Sequence, residues 1–150
     1  MAGRIAIASD HAAVALKATL VAWLREQGHH VTDLGPHGHE SVDYPDYGYA
    51  LAQAIAEGGA DFGIALCGSG IGISIAVNRN PAARCALVNE PYSAKLARRH
   101  NDANVIAMGA RLIGEDMAKS CIHAFLETEF EGGRHARRVA KLSHPAKEPA

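Results

Sequence analysis

The chain has 150 residues, of which 15 are lysine or arginine and 16 are aspartate or glutamate, so its formal net charge is −1. This balance excludes the strong basic field of a protein that binds nucleic acid or an anionic membrane surface. Hydrophobic residues make up 48% of the chain, which fills a core at this length without disulfides or a structural metal. We therefore expect one folded domain over residues 1–150, with no nucleic-acid partner.

The amino-terminal segment lacks the basic start and long apolar stretch of a signal peptide, and no window of the sequence is apolar enough for a membrane span. The sequence therefore predicts a cytoplasmic protein with no membrane partner. The three cysteines, Cys67, Cys85 and Cys121, are odd in number and form no C-x-x-C motif. Neither a disulfide framework nor a zinc knuckle is expected.

Short apolar runs alternate with amphipathic stretches of helical length along the chain. This pattern predicts an α/β fold, a Rossmann-like three-layer sandwich with helices on both faces of a five-stranded parallel sheet. The predicted strands are residues 4–9, 30–34, 62–67, 85–88 and 105–108. The predicted helices are residues 12–27, 47–57, 71–78, 92–100 and 115–127, with an extra C-terminal helix near 134–142. Residues 143–150 are predicted to be a frayed tail.

The third predicted strand runs directly into a glycine-rich turn. Its sequence is Cys67-Gly68-Ser69-Gly70-Ile71-Gly72-Ile73. In an open parallel sheet, ligands bind at the carboxyl ends of the strands. Glycine lets backbone amides approach an anion, and the following helix adds partial positive charge, so the turn predicts an anion cradle. The alternative is a tight turn in which glycine only supplies positive φ.

Three known glycine motifs fit this turn less well. A P-loop requires a lysine that is absent here, and the nucleophile elbow requires glycine at the position of Cys67. The dinucleotide fingerprint requires glycine at the position of Ile73, although Glu90 lies at the distance expected of a ribose-binding acid. A nucleotide-binding, flavodoxin-like module therefore remains a competing interpretation.

Polar or reactive side chains end two of the predicted strands. Cys67 lies beside the start of a helix, a position that favours a thiolate able to act as nucleophile or base. The alternative is a small buried residue, which is our interpretation of Cys85 and Cys121. Asp10 and His11 follow the first strand and would add a carboxylate and an imidazole over the same crevice. Asp10 is equally suited to capping the next helix.

Further polar residues follow the last two predicted strands. Arg134 and Arg138 are four residues apart and share a face of the C-terminal helix beside His135, a spacing that suits a phosphate. A solvated basic face is the alternative. The segment from His100 to Asp102 ends the fourth long helix, and Arg111 follows the last strand. Polar residues at such ends are often caps.

Four other histidines, at positions 29, 30, 37 and 39, include an H-x-H pair. They lack an acidic or thiol partner at matching spacing, so we interpret them as loop residues and predict no metal site.

Together these residues resemble the family of ribose-5-phosphate isomerase type B, within a larger group that includes allose and galactose 6-phosphate isomerases. The matching segments cover nearly all of residues 4–139 in order. They are Ala8-Ser-Asp-His-Ala12, Val42-Asp-Tyr-Pro-Asp46, Cys67-Gly-Ser-Gly-Ile-Gly-Ile-Ser74, Asn89-Glu-Pro-Tyr-Ser-Ala94, His100-Asn-Asp102, Gly109-Ala-Arg111 and Glu131-Gly-Gly-Arg-His135.

The resemblance implies interconversion of D-ribose 5-phosphate and D-ribulose 5-phosphate through a cis-enediolate, in the pentose phosphate pathway, without metal or cofactor. Cys67 would move the proton between C2 and C1 while the amides of Gly68–Ile73 hold the enediolate oxygen. Ser69 would orient or relay protons, although the family usually carries threonine there. Allose, galactose or tetrulose phosphates are the alternative substrates.

The resemblance also implies roles for the remaining residues. Asp10 and His100 would open the sugar ring, and Tyr44 and Asn101 would lie near the sugar hydroxyls. The phosphate would contact His11, Arg111, Arg134, His135 and Arg138. In this family the site lies between two subunits, with the region from His100 to Arg111 supplied by the neighbour. The resemblance therefore implies a homodimer or a dimer of dimers.

Overall fold

The computed structural model describes residues 3–145 and contains one sheet of five parallel strands. The strands are β1 (Arg4–Ser9), β2 (His30–Asp33), β3 (Phe62–Cys67), β4 (Cys85–Leu87) and β5 (Val105–Gly109), in the spatial order β2-β1-β3-β5-β4. The helices are α1 (Val14–Glu26), α2 (Tyr44–Ala56), α3 (Ile71–Val77), α4 (Pro91–Asn101), α5 (Glu115–Glu127) and α6 (Arg134–Leu142). The predicted α/β class and five-stranded parallel sheet are confirmed.

Side chains that point alternately to the two faces of the sheet produce the three layers. Ile5 and Ile7 of β1 lie in an apolar cluster with residues of α1 and α5, whereas Ala6 and Ala8 lie in a second cluster with residues of α2 and α3. Successive side chains of a strand point to opposite faces, so both faces of the sheet are covered. Burying a side chain such as Leu20 contributes about 1.5–3 kcal/mol to the free energy of unfolding.

Three helix starts differ from the sequence prediction, and α4 differs least, since it begins at Pro91 rather than at residue 92. α2 begins at Tyr44 rather than at residue 47, because Pro45 lies in the first helical turn, where its missing N–H costs nothing. The first predicted helix opens with a 3-10 turn over His11–Ala13 before α1 begins. Most of the predicted tail, residues 146–150, lies outside the described residues. Within residues 3–145, no helix has both the length and the apolarity needed to cross a bilayer.

The direction of α4 decides where its last residues lie. The helix starts beyond the carboxyl end of β4 and returns the chain to the amino edge of the sheet, where β5 begins, as every parallel crossover must. At that edge the carbonyl of Asn104 accepts a hydrogen bond from the amide of Gly63, near the start of β3 (2.8 Å). His100 and Asn101 therefore lie toward the amino edge.

Candidate functional site

The predicted site residues form two groups. The carboxyl-edge group comprises Asp10, His11, Tyr44, residues 67–73 and Arg111, and lies beyond the ends of β1, β3 and β5. The Asp10 amide donates to the carbonyl of Leu66 (3.0 Å), and the Ala110 amide donates to that of Cys67 (2.9 Å). These bonds join the three strand ends into one surface.

The glycine turn is pressed against the end of β5. Gly70 has φ of +79°, and a Cβ there would lie 2.7 Å from the carbonyl carbon of Met108. A Cβ on Gly109 would lie 2.6 Å from the carbonyl oxygen of Ser69. Both glycines are thus required by close backbone approach, and Gly70 also by its left-handed conformation.

The side chains of the turn already use two of its amides. Cys67 is 4% exposed, and its Sγ accepts a hydrogen bond from the amide of Gly70 (3.1 Å). The Ser69 hydroxyl accepts one from the amide of Ile71 (3.1 Å). In the described part of the chain, no group accepts from the amides of Gly72 and Ile73, the next two of the first turn of α3. An anion at this turn would meet those two amides.

Asp10 and His11 are held by backbone bonds that leave one polar atom of each for a ligand. Asp10 is 8% exposed, and its Oδ1 accepts from the amide of Ala12 (3.0 Å), so the predicted cap is confirmed. His11 Nδ1 accepts from the amide of Val42 (3.1 Å). That bond places the proton of the neutral ring on Nε2, where it can be donated outward.

Tyr44 and Arg111 flank the turn. A Cβ on Gly72 would lie 2.6 Å from the Tyr44 ring, so the ring rests on the first turn of α3. A Cβ on Gly68 would lie 3.4 Å from Cδ and Nη1 of Arg111, whose amide also donates to the Gly68 carbonyl (3.0 Å). Arg111 therefore lies on the turn of its own chain. The expectation that it joins His100 in the neighbour's contribution is wrong, because β5 separates the two residues.

The amino-edge group comprises His100, Asn101, Arg134, His135 and Arg138, and Glu131 lies beside it. The imidazoles of His100 and His135 stack with centroids 4.4 Å apart and planes at 13°. The Glu131 amide donates to the Arg99 carbonyl (3.0 Å), which fixes the segment before α6 against the end of α4. Arg134 and Arg138 are exposed.

His135 is buried against this group, and its electrostatic environment disfavours the imidazolium form. Burial lowers the pKa of His135 most, and the charges of His100, Arg134 and Arg138 lower it further against the opposing carboxylate of Glu131. A neutral imidazole remains available as a hydrogen-bond or metal ligand.

The two groups lie at opposite edges of the sheet within one chain. Asn104, shortly after α4, pairs with Gly63, whereas Cys67 pairs with Gly109 at the far end of β3. The four residues from Gly63 to Cys67 span roughly 13 Å. The structure brings the residues of each group together but does not bring His100 to Cys67.

Glu90, which favoured the nucleotide interpretation, has another role. Its carboxylate accepts hydrogen bonds from the amides of Tyr92 (2.7 Å) and Ser93 (2.8 Å) and from the Ser93 hydroxyl, so it caps α4. Hydrogen bonds from the Ser93 hydroxyl and amide lower the pKa of Glu90 most, burial opposes them, and the Tyr92 amide lowers the pKa further. This engagement removes the acid that a nucleotide ribose would need.

In the described residues, the sulfurs of Cys85 and Cys121 accept no backbone hydrogen bond of the kind that Cys67 accepts from Gly70. Burial raises the pKa of the Cys85 thiol to about 12. Burial, with a smaller effect of the Glu90 charge, raises that of Cys121 to about 11. Both remain protonated at neutral pH, consistent with their interpretation as packing residues.

Sequence reasoning did not single out Glu131 as a functional residue. Its carboxylate lies 3.7 Å from Nε2 of His135, four residues later. The Glu–His spacing was visible in the sequence, but the two glycines between them suggested a break rather than a shared cluster.

The sequence and the fold both match known isomerases. The family model described as Ribose/Galactose Isomerase matches residues 5–142. Ribose-5-phosphate isomerase B of Escherichia coli K12 is 45% identical over 140 residues, covering 93% of this chain and 94% of the relative. D-erythrulose-4-phosphate isomerase of Pectobacterium atrosepticum is 46% identical over 142 residues, covering 93% of each chain.

A solved structure of ribose-5-phosphate isomerase B from Clostridium thermocellum superposes on this chain with a TM-score of 0.93 at 46% identity. The match covers 95% of this chain and 96% of that one. With the family model spanning nearly the whole described chain and relatives matching over almost their full length, the protein belongs to the ribose/galactose isomerase family.

Proposed function

We propose that the protein interconverts D-ribose 5-phosphate and D-ribulose 5-phosphate through a cis-enediolate, as a step of the pentose phosphate pathway. The observation that carries this proposal is the Cys67 sulfur, buried at the carboxyl end of β3 beside the unused amides of Gly72 and Ile73. A base next to backbone donors is what an enediolate intermediate requires.

Cys67 acts as the general base. Its thiolate takes the proton from C2 of the open-chain aldose, and the electrons of that bond form the C1–C2 double bond while O1 becomes the oxyanion. A proton then passes between O1 and O2, and the Cys67 thiol returns its proton to C1, which leaves the ketone at C2. The Gly70 amide donates to Sγ at 3.1 Å, which holds the sulfur at the mouth of the glycine turn.

The amides of Gly72 and Ile73 hold the enediolate oxygen, and Ser69 orients protons at the same turn. Removing one such donor from an oxyanion site typically costs about 3 kcal/mol of transition-state stabilisation. Ring opening falls to the unused carboxylate oxygen of Asp10 and to His100. Tyr44 and Asn101 contact the sugar hydroxyls.

The phosphate is held by residues of both groups. His11 and Arg111 come from the carboxyl-edge group, and Arg134, His135 and Arg138 come from the amino-edge group. Each arginine supplies charge-assisted hydrogen bonds to phosphate oxygens. Because the substrate must reach both groups, one chain is not enough.

The active unit is therefore a homodimer, or a dimer of dimers, in which the amino-edge group of one chain faces the carboxyl-edge group of the other. Large apolar side chains lie exposed beside the carboxyl edge, among them Ile71, Leu87 and Leu112, the last with 61% of its surface accessible. Burial of these side chains against a second chain would remove apolar surface from water, which supports an interface here.

A related sugar phosphate is the second candidate substrate. The relative that acts on D-erythrulose 4-phosphate is as similar to this chain as the E. coli enzyme. The test is a panel of ribose, allose and galactose phosphates with a tetrulose phosphate, each assayed for aldose–ketose conversion. Ribose 5-phosphate should give the highest kcat/KM, and a higher value for another sugar would replace it as the substrate.

The proposed chemistry needs no metal, so chelator-treated protein should keep its activity. Loss of activity that added zinc or magnesium restores would contradict the mechanism. The proposal treats the chain as one sugar-phosphate isomerase domain in the cytoplasm, where the three free thiols of the described residues stay reduced. A purified protein that carries nucleotide absorbance would instead support the flavodoxin-like alternative.

A further inference from the structure

A pair of imidazoles and a carboxylate converge at the junction of α4 and α6. One ligand atom from each of His100, Glu131 and His135 lies within 4.8 Å of the other two. His135 is 7% exposed, and its buried Nε2 has no hydrogen-bond partner in the described chain. A buried polar atom without a partner is costly, so the site favours a ligand that would satisfy it.

We propose that His100, Glu131 and His135 form a binding site for a divalent transition metal of the Zn²⁺ class. Two imidazoles and one carboxylate, with water in the fourth position, are a common zinc ligand set. Mg²⁺ and Ca²⁺ prefer oxygen ligands and would bind this set poorly.

One of the three ligand–ligand distances is already close to that of a zinc site, and the other two, which lie within 4.8 Å, must shorten when the ion binds. Zinc binds nitrogen and oxygen ligands at about 2.0–2.2 Å, so two ligand atoms of a tetrahedral site lie roughly 3.3–3.6 Å apart. Nε2 of His135 and Oε1 of Glu131 are 3.7 Å apart already. The nearly parallel rings must tilt to point at one ion, and the side chain of His100 is half-buried and makes no hydrogen bond in the described chain.

The backbone brings the ligands together without depending on the metal. The bond from the Glu131 amide to the Arg99 carbonyl fixes the segment before α6 to the residue preceding His100. Glu131 also supplies a negative charge that partly offsets Arg134 and Arg138, whose positive charges act on His135.

The metal should inhibit the isomerase, a consequence that rests on the proposed function, whereas metal binding itself does not. Under the proposed function, His100 opens the sugar ring and His135 contacts the phosphate. An ion that occupies both imidazoles removes them from the substrate. Chelation should then restore activity.

The experiment titrates zinc into the full-length, metal-stripped protein against a chromophoric zinc indicator. Wild type should bind one equivalent of zinc. Glu131→Gln and His135→Ala should each raise the Kd for zinc at least about tenfold, because loss of even a residue that only orients a ligand weakens a metal site by that factor. Glu131 is half-exposed, so Glu131→Gln should fold. Cys67→Ala should keep this equivalent, which separates it from zinc bound by the reactive thiol.

The exposed pair of His123 and Glu127 on α5 is a matched control. It also consists of a histidine and a glutamate four residues apart, with His123 Nε2 3.1 Å from Glu127 Oε2. It is not in the three-ligand cluster found in the described chain. His123→Ala should therefore leave zinc binding unchanged. If His123→Ala loses the bound equivalent of zinc as fully as Glu131→Gln and His135→Ala do, the proposed site is overturned. It is also overturned if Glu131→Gln and His135→Ala bind zinc as tightly as the wild type.

The activity assay then separates the two proposals. Zinc should inhibit the wild type, and Glu131→Gln should retain activity without metal and resist zinc at the concentrations that inhibit the wild type. Zinc that binds the cluster without inhibiting would support the metal site and contradict the role of His100 in catalysis. Absence of the bound equivalent in an active enzyme would overturn the metal site alone.

Discussion

Cys67 differs from the other two cysteines in what its sulfur contacts. Its Sγ accepts a backbone amide at the mouth of the glycine turn, whereas burial keeps the thiols of Cys85 and Cys121 protonated. Position in the sequence was enough to single out Cys67, because the last residue of a parallel strand before a glycine turn faces the ligand edge of the sheet.

We predict that Cys67→Ser lowers kcat about 10²- to 10⁴-fold, the usual contribution of general acid–base catalysis, because a hydroxyl is a far weaker base than a thiolate. The serine oxygen can still accept the Gly70 amide, so folding and KM should change little. Steady-state kinetics measure kcat and KM, and a melting curve measures folding. Cys85→Ser is the control and should keep its activity, and a near wild-type kcat for Cys67→Ser would refute the assigned base.

Arg111 lies in a different part of the fold from the one that the resemblance implied. The resemblance grouped Arg111 with His100 in the region that the neighbouring subunit supplies. However, β5 runs between them and carries the chain from one edge of the sheet to the other. Only the alternation of strand and helix, traced residue by residue, assigns Arg111 to the turn of its own chain.

Among the elements, β1, β3 and α5 have the predicted bounds. Their residues form continuous apolar runs or a strongly amphipathic stretch, which tertiary contacts reinforce. The start of α2 was predicted too late because Pro45 stands there, and proline is equally compatible with a turn and with a first helical turn. Local pattern therefore predicts the interior of an element better than its start.

α6 carries the arginines whose role depends on helix geometry. Arg134→Ala and Arg138→Ala should each weaken binding of ribose 5-phosphate by about 1.5–3 kcal/mol, or roughly 10- to 150-fold in KM, because each removes a charged hydrogen bond. Arg137 points about 100° away from Arg138 and serves as the matched control. KM values for the three variants decide the matter, since equal effects would indicate a diffuse basic surface.

α1 is joined to the end of β2 by a buried ion pair. Lys17 is 2% exposed, and its Nζ lies 2.6 and 2.8 Å from the two carboxylate oxygens of Asp33. Burial pushes the pKa of Asp33 up, but hydrogen bonds from Lys17 and the Gly35 amide, with the charges of Lys17 and His37, lower it below its usual value.

Because the folded pKa of Asp33 is lower than the unfolded one, the pair stabilises the fold above about pH 4, and this contribution is lost as the pH falls through the folded pKa. Lys17→Met should reduce the free energy of unfolding by about 3 kcal/mol at pH 7. At pH 3, the free energies of unfolding of Lys17→Met and the wild type should differ by less than they do at pH 7.

Urea unfolding followed by the fluorescence of Trp23, the single tryptophan, measures this difference. Arg4→Met breaks the exposed pair with Asp61 and should cost less than about 1 kcal/mol at pH 7. A Lys17→Met variant as stable as Arg4→Met would show that the buried pair contributes little.

At the scale of the whole molecule, the proposed site exists only between chains. The predicted parallel sheet was enough to place His100 and Cys67 at opposite edges, because the helix between two parallel strands returns the chain to the amino edge. The strand order, which brings the ends of β1, β3 and β5 together, required the structure. The resemblance implied a shared site, and the opposite-edge placement supplies a physical reason for it.

Mixing two inactive variants tests the sharing directly. In a twofold dimer of Cys67→Ala with His100→Ala, one site carries both defects and the other carries neither. With free exchange, half of the dimers are mixed and half of their sites are intact, so roughly a quarter of wild-type activity should return.

Each variant must first be shown to be folded, dimeric and nearly inactive, and differently tagged chains must confirm that subunits exchange. Recovery of activity would support the shared site. Exchange without recovery would mean that Cys67 and His100 act within one chain.

The opposite-edge placement of the two groups also determines how the reaction rate depends on the amount of enzyme. A lone chain carries two half-sites and no complete one, so under the proposed sharing its turnover is zero. By mass action, once dilution separates the dimers, the concentration of pairs falls with the square of the chain concentration. The measured rate then becomes second order in protein, and specific activity stops being a constant of the enzyme.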